Sequence, residues 1–456
     1  MKKYKILSVI IVFVYFIQSF LIAAGGVGAD SLSYFGIASD LPALKTNLFP
    51  LGYPFVIKLF QLVVKDYYWS AKILNVVLMS FILLFSHVKK FYFRETVLLF
   101  TGKTLFFVFC GILSESLFIF LMYFFFYFLH KVVVENVKSI SNYISISLIL
   151  VCLVITRYSG IYVYLSIFLF LIYLLIIKKE KVFTKSLLVS VIFSGIGILG
   201  YLLFNYFYFG SFTAEGLRGE PSDKSSMNIL RNVLGFFNVL NPYIGIKPAS
   251  LSLLSTIVQL CVFVIDVWVF RLMYVYFKNS KKSPQYYFHL CCWFIVVVYS
   301  CCVLASGWFQ QIEEMNVRMM AIGNFILFFS FLICYFEKQK NDFWIFRIGC
   351  FFLIFLFVYS VKIPSNFYSN RKQIEEQMGK FKNKKYLFNN EKEIQTSSEY
   401  TLPLINKTFR YTHTNIQNGE LKQNLAGSIN PQIKWIRLDS MRNKKEVLYT
   451  SELILK

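Results

Sequence analysis

Asp30 lies in the stretch GADSLSYFGIASDL, residues 28–41, directly after the first apolar run of the chain. Glu115, Arg157, Glu215, Arg218, Arg231 and Arg318 stand likewise at or just beyond the ends of apolar runs, although they come from well-separated places in the sequence. A charge so close to hydrocarbon is costly unless it is paired or used. If the runs cross a bilayer in order, all seven charges reach the same face, and they are read here as one site. Guanidinium forks match the oxygens of a phosphate, and a carboxylate can accept a proton from a hydroxyl. A plainer arrangement, in which Arg157 and Glu115 pair with each other across two helices, uses the same residues.

The elements that must position these groups follow from composition. Of 456 residues, 57% are hydrophobic and 16% charged, an apolar share that marks an integral membrane protein. The 52 Phe and 30 Tyr suit lipid-facing spans with aromatic interfacial ends. A net charge of +23 suggests nucleic acid in a soluble chain, but here the lysines and arginines cluster between apolar runs as the positive-inside bias requires, so no nucleic-acid partner is expected. The nine cysteines fall inside apolar runs and read as packing residues, and the four histidines are too scattered for a metal site or a triad.

Run lengths predict spans near 7–26, 70–87, 95–113, 115–134, 141–158, 160–177, 186–207, 251–276, 288–306, 319–336 and 343–361. The first is read as an uncleaved anchor with its amino end inside, because its apolar core is longer than that of a signal peptide. An odd number of spans, eleven, puts the carboxyl tail outside and makes HVKKFYFR, HKVVVENVK, KKEKVFTK, KNSKK and EKQK cytoplasmic. The expected architecture is an all-α polytopic membrane domain over 1–362, with exterior loops at 27–69 and 208–250. A small exterior α/β domain over 363–456 follows, whose stretches KWIRLDS and KEVLYTSELIL favour strands.

Within the first loop, Asp30, Tyr34, Ile37 or Ala38, and Leu41 share one helical face, and FVIKLFQLVVK after the turn PLGYP reads as a helix lying along the membrane surface. Asp30 and Asp40 would be about 15 Å apart along that helix and turned about 80° from each other, so they are not expected to share a metal. An N-cap is the alternative role for Asp30. Lys103 and Asp266 fall inside expected spans, and the sequence assigns neither a function.

GADSLSYFGIASDL followed by FPLGYPFVI resembles the first exterior loop of the GT-C superfamily of membrane glycosyltransferases. These are the polyprenyl-phosphate-sugar-dependent enzymes that include protein O-mannosyltransferases and the aminoarabinose transferase. LSESLFIFL (113–121), ITRYSGIYVY (155–164), NYFYFGSFTAEGLRG (205–219) and NVRMMAIGNFIL (316–327) resemble later family segments in the same order, although the proline often found after the last arginine is missing. The resemblance covers about residues 7–330. It implies an inverting glycosyltransferase, hexosyl- or pentosyl-, moving a sugar from a polyprenyl-phosphate donor to a glycan, lipid or protein acceptor on the outer face of the cytoplasmic (inner) membrane. Asp30 would be the catalytic base. Arg157, Arg218 and Arg318 would bind the donor phosphate, Glu115 would orient an acceptor or an arginine, and Tyr34 and Tyr53 would complete the substrate-binding set. No cofactor is required by this reading, and a divalent cation held by one aspartate and donor phosphates is compatible with it. Two other classes share its broad features, a polysaccharide polymerase and a lipid-linked-sugar flippase. The exterior tail argues against the first, and the absence of repeated halves argues against the second.

Overall fold

The computed structural model describes residues 1–21, 26, 29–44, 46–179, 183–215, 226–247, 252–310, 314–339 and 341–361, together with four short strands in the tail. The chain opens with α1 (Lys2–Leu21), whose twenty residues suffice to cross a bilayer. α2 (Ala29–Asp40) and α3 (Gly52–Val64) follow, the two helices expected of the first loop. Asp30 falls in the first turn of α2.

α4 (Tyr67–Val88), α7 (Glu115–Val133), α9 (Gly160–Tyr173), α10 (Thr184–Phe209), α12 (Leu253–Asn279), α13 (Tyr286–Ser306), α14 (Ala321–Lys338) and α15 (Phe343–Val361) supply, with short extensions, the eight helices among the described residues that are long and apolar enough to cross a membrane. α8 (Ile140–Thr156) is apolar and slightly shorter. The chain is a multi-pass membrane protein. α14 is buried over 78% of its apolar window whereas α12 and α15 are buried over 17%, so α14 runs through the middle of the bundle and the other two face outward. The helix ends sort into two faces. Lys3 bonds Asp342, Tyr92 bonds His130, and Ser283 bonds Glu337 at one end, while Tyr34, Ser114, Arg157, Tyr158 and Asn47 meet at the other.

One expectation is corrected. The apolar run expected to span 95–113 is broken into α5 (Phe93–Leu99) and α6 (Lys103–Cys110), each too short to cross alone. Hydropathy missed the break because Phe100, Thr101 and Gly102 interrupt the helix without adding charge. Backbone groups freed inside a bundle must find other partners. Tyr15 donates to the Phe100 carbonyl at 2.8 Å, the Thr101 hydroxyl to Leu98, and the Thr104 amide to the Pro242 carbonyl at 3.3 Å. Lys103 therefore starts a helix instead of sitting in mid-span.

The carbonyl that accepts from Thr104 belongs to a segment expected to lie in the second exterior loop. After α11 (Ser226–Phe236), residues 237–246 turn into the bundle, where Tyr243 stacks on Phe352 with ring centroids 4.6 Å apart. Asparagine amides stand in for the missing helical bonds. Asn324 donates to the Asn238 and Val239 carbonyls, Asn238 accepts from the Ile246 amide at 2.8 Å, and Asn241 accepts from the Tyr243 and Ile244 amides. The side chain of Asn241 also donates to Asp266 at 3.0 Å, which gives the buried Asp266 carboxyl a structural partner.

In the tail, β1 (Lys385–Phe388), β2 (Tyr411–His413), β3 (Ile436–Leu438) and β4 (Val447–Leu453) form a sheet in the order β2-β1-β4-β3. β1 pairs in parallel with β2 and β4, and β3 is antiparallel to β4. β3 and β4 fall on the two stretches that favour strands, and the helical part expected of the tail lies outside the described residues.

Candidate active site

Four segments meet at the Asp30 end of the bundle. α2 brings Asp30, the start of α7 brings Glu115, the link between α8 and α9 brings Arg157, and the turns before α14 bring Arg318. The side chains form a chain of alternating charge. An Nη of Arg318 bonds the Asp30 carboxylate, and its Nε donates to Glu115 at 2.7 Å. The other Glu115 oxygen lies 2.7 Å from Arg157 Nη1. Two carboxylates and two guanidiniums leave the chain formally neutral, which offsets the cost of desolvating them.

Exposure separates the two acids. The Glu115 side chain is 1% exposed and that of Asp30 21%, so a hydroxyl can reach Asp30 and not Glu115. Glu115 thus fixes both arginines, and Asp30 is the acid open to chemistry. Arg157 keeps capacity in reserve. Its Nη1 serves both Glu115 and the Ser114 hydroxyl, at 2.9 Å, while its buried Nε has no hydrogen-bond partner among the described residues. Burial works against the charge of Arg157, but the neighbouring Glu115 carboxylate and tyrosines outweigh it and hold the guanidinium above its ordinary pKa.

Each member is held by local structure. Arg157 follows the end of α8 in an extended conformation, so its side chain leaves the helix toward α7. Glu115 opens α7, where the α6–α7 joint is pinned from α4. Lys72 donates to the Cys110 carbonyl, and Asn75 to those of Phe109 and Gly111 at 3.2 and 2.6 Å. Ser31 of α2 donates to the Ile112 carbonyl at 2.7 Å, which fastens the Asp30 helix to the same joint. Asn316 accepts from the Arg318 and Met319 amides at 2.9 and 3.0 Å and sets the turn that aims Arg318.

The other expected residues are placed differently. Tyr34 is buried, with its hydroxyl 2.9 Å from that of Ser114, and Tyr53 is buried edge-on to Tyr34 at 5.0 Å, so both stand behind the charged chain. Arg218 lies outside the described residues. Glu215 does not join the chain. It accepts from the Phe212 and Thr213 amides and caps its own turn. Arg231 also stays apart, pairing with Glu314 at 3.0 Å. That pair docks α11 onto the segment carrying Arg318, helped by the Asn232 side chain, which accepts from the Met315 amide, and by Gly235, where a Cβ would stand 1.8 Å from the Met315 carbonyl oxygen. The outer side of α11 shows Ile229, Leu230 and Val233.

Sequence reasoning missed Ser114, although it lies within LSESLFIFL. A serine beside a helix-opening glutamate looks like an ordinary cap, and its two tertiary partners have no local signature. No group of three or more His, Cys, Asp or Glu among the described residues is arranged to hold a metal. Glu115 is enclosed by guanidiniums, so of the two carboxylates in the charged cluster Asp30 is the accessible one.

No protein-family model matches the sequence, and a comparison with curated proteins finds no match. Comparison with solved structures does find likeness. The crystal structure of ArnT from Cupriavidus metallidurans bound to undecaprenyl phosphate superposes with a TM-score of 0.55 at 9% identity, covering 93% of this chain and 87% of that one. The apo structure of the same protein gives a TM-score of 0.53, with the same identity and coverage. At that identity the likeness is one of fold. The chain shares the fold of these neighbours and spans most of their length.

Proposed function

We propose that this protein is a glycosyltransferase that takes a sugar from a polyprenyl-phosphate donor and transfers it, with inversion, to a hydroxyl of an acceptor at the outer face of the cytoplasmic membrane. The observation that carries the reading is the alternating chain Asp30–Arg318–Glu115–Arg157, assembled from four separate segments at one end of the bundle. The lysine clusters lie at the other end, which by the positive-inside bias is cytoplasmic. The fold neighbour bound to undecaprenyl phosphate supports the donor class.

In the reaction, the acceptor oxygen attacks the anomeric carbon as the bond from that carbon to the phosphate oxygen breaks. The electron pair leaves with the phosphate, and the acceptor proton passes to Asp30. A phosphate leaving group needs no protonating acid, but it needs positive charge where its own charge grows. Arg157, whose side chain is 19% exposed, meets that need first. Arg318 joins when donor phosphate draws it from Asp30, which frees the carboxylate as the base. Arg218 is retained as a third phosphate ligand on the family resemblance, and the tail is retained as an exterior domain. A divalent cation would find a single accessible protein carboxylate here, so no step is routed through one.

The test compares surface glycans and glycolipids of a deletion strain and its parent by mass spectrometry, alongside purified protein with a polyprenyl-phosphate sugar. Loss of one glycan in the strain, with release of polyprenyl phosphate in the tube, is expected. Movement of lipid-linked sugar across a vesicle without that release would replace the reading by transport.

A further inference from the structure

Arg157 reaches the site from the short link between α8 and α9, and its own side chain holds that link to the start of α7 through Glu115 and Ser114. These bonds run through the guanidinium, so a donor phosphate competes for the same group. The next residue, Tyr158, braces the link on another side with neutral bonds. Its half-buried hydroxyl donates to the Asn47 carbonyl at 2.7 Å and accepts from the buried Asn205 amide of α10 at 3.2 Å. With the Asn205 nitrogen on the acceptor side of the hydroxyl, the phenolic proton is directed at Asn47.

The segment that Tyr158 grips, between α2 and α3, is itself fixed. The Asn47 side chain donates to the carbonyl and hydroxyl of Ser211 at 2.9 and 3.1 Å. A Cβ on Gly52 would stand 2.8 Å from the Ile155 carbonyl oxygen, so the start of α3 lies directly against the end of α8. Phe49 and Tyr53 each pack edge-on against Tyr34 with ring centroids 5.0 Å apart. Tyr34 follows Asp30 by about one turn on the same face of α2. Arg157 and Asp30 are therefore joined by two routes. One runs through the ion pairs of Glu115 and Arg318, and the other through Tyr158, the Asn47 segment and Tyr34. Ser31 and Tyr34 also tie α2 to the α6–α7 joint, but that joint bonds Arg157 through the guanidinium itself.

The two routes respond differently to a donor. A phosphate that draws Arg318 from Asp30 opens the first route at the step in which the base and the phosphate must keep a fixed spacing. The second route offers the phosphate no charge to compete for and stays closed. We propose that Tyr158 is a positioning residue, whose hydroxyl holds the Arg157 link and the Asp30 helix at their spacing while the ion-pair route is open. The inference rests on the donor reading of the proposed function.

The deletion strain is complemented with wild type, Tyr158→Phe, Asn205→Ala or Asp30→Asn, and the surface glycan lost on deletion is measured per unit of membrane-inserted protein. Full-length protein in nanodiscs is titrated with undecaprenyl phosphate, and amide exchange over residues 46–53 is followed with that lipid bound. Tyr158→Phe keeps the ring and removes the hydroxyl. Asn205→Ala releases the same hydroxyl from α10 and keeps the test open if the first variant fails to accumulate. Glycan output should fall by about tenfold, since a misplacement of about 1 Å costs on the order of 10²-fold. Affinity for undecaprenyl phosphate should stay within about twofold of the wild type, as expected when alignment and not binding is lost, and exchange over 46–53 should rise. A matching loss of output and lipid binding would make Tyr158 a general support of the fold and overturn the positioning role. Unchanged output and exchange, with Asp30→Asn inactive, would overturn it and leave the donor reading intact. Full output from Asp30→Asn would overturn the base assignment and this inference with it. No glycan lost on deletion, with no binding of undecaprenyl phosphate, would overturn the proposed function itself.

Discussion

Replacing Asp30 by Asn removes one negative charge from a cluster that is formally neutral, and the two consequences run in opposite directions. The residual charge of +1 lies within bonding distance of where a donor phosphate would sit. Two unit charges about 5 Å apart interact by roughly 3 kcal/mol at an effective dielectric of about 20, and part of this is lost to solvation. Binding of undecaprenyl phosphate should therefore tighten, by about tenfold. Turnover should fall by about 10²- to 10⁴-fold, the usual contribution of a positioned base. The assay pairs lipid binding in nanodiscs with sugar transfer at saturating donor, using protein checked for unchanged folding. Asp30 is partly exposed and its bond to Arg318 is replaceable by the amide oxygen, so folding should be little affected. Turnover within twofold of the wild type would remove Asp30 from the chemistry. Weaker lipid binding would refute the idea that its carboxylate occupies the arginine until the donor arrives.

Glu115→Gln should act on the fold first, because it leaves two guanidiniums facing a neutral side chain in a dry place; a loss of about 3–5 kcal/mol is expected in denaturation of the purified protein. Ser114→Ala removes partners of both Tyr34 and Arg157 and should cost about 1 kcal/mol for each bond, with weaker donor binding as the second readout. Gly235→Ala must push α11 away from Met315 and should lower transfer without touching a charged group, measured as sugar transfer beside the wild type. At the opposite face, slight burial raises the Asp342 carboxyl, but the bonds from Lys3 and Tyr4 outweigh it and hold its pKa below the ordinary carboxylate value. A depressed folded pKa gives stability that is present above about pH 4 and lost as pH falls through the folded value. Asp342→Asn should abolish that part of the acid dependence of the thermal midpoint, at a cost of about 1 kcal/mol or less near neutrality.

The apolar runs named most helices because burial in lipid selects for length and hydrophobicity, which any window of sequence records. The same measure overlooked the break at Phe100–Gly102, since Thr and Gly barely lower hydropathy although together they let a helix stop. It also placed 237–246 outside, because a segment rich in Asn and Gly reads as a polar link. What brings that segment inward is a set of amide bonds to Asn324 and Asp266, and those partners are remote in sequence. For the site, residue type and position at span ends were enough to nominate Asp30, Glu115, Arg157 and Arg318 together. The order in which they pair was not readable. Glu215 and Arg231 share the same type and face, yet each has a nearer partner that absorbs its charge.

Gly235 leaves no slack between α11 and the backbone at Met315. α11 turns Ile229, Leu230 and Val233 outward, as a helix resting at a bilayer surface does, and in that position its height would follow the ends of the surrounding acyl chains. A thicker or thinner bilayer that lifts or lowers this helix must carry the neighbouring guanidinium with it, three residues downstream. On the proposed reading, lipid chain length would thereby bear on sugar transfer, an influence exerted by the solvent of the protein and not by any ligand.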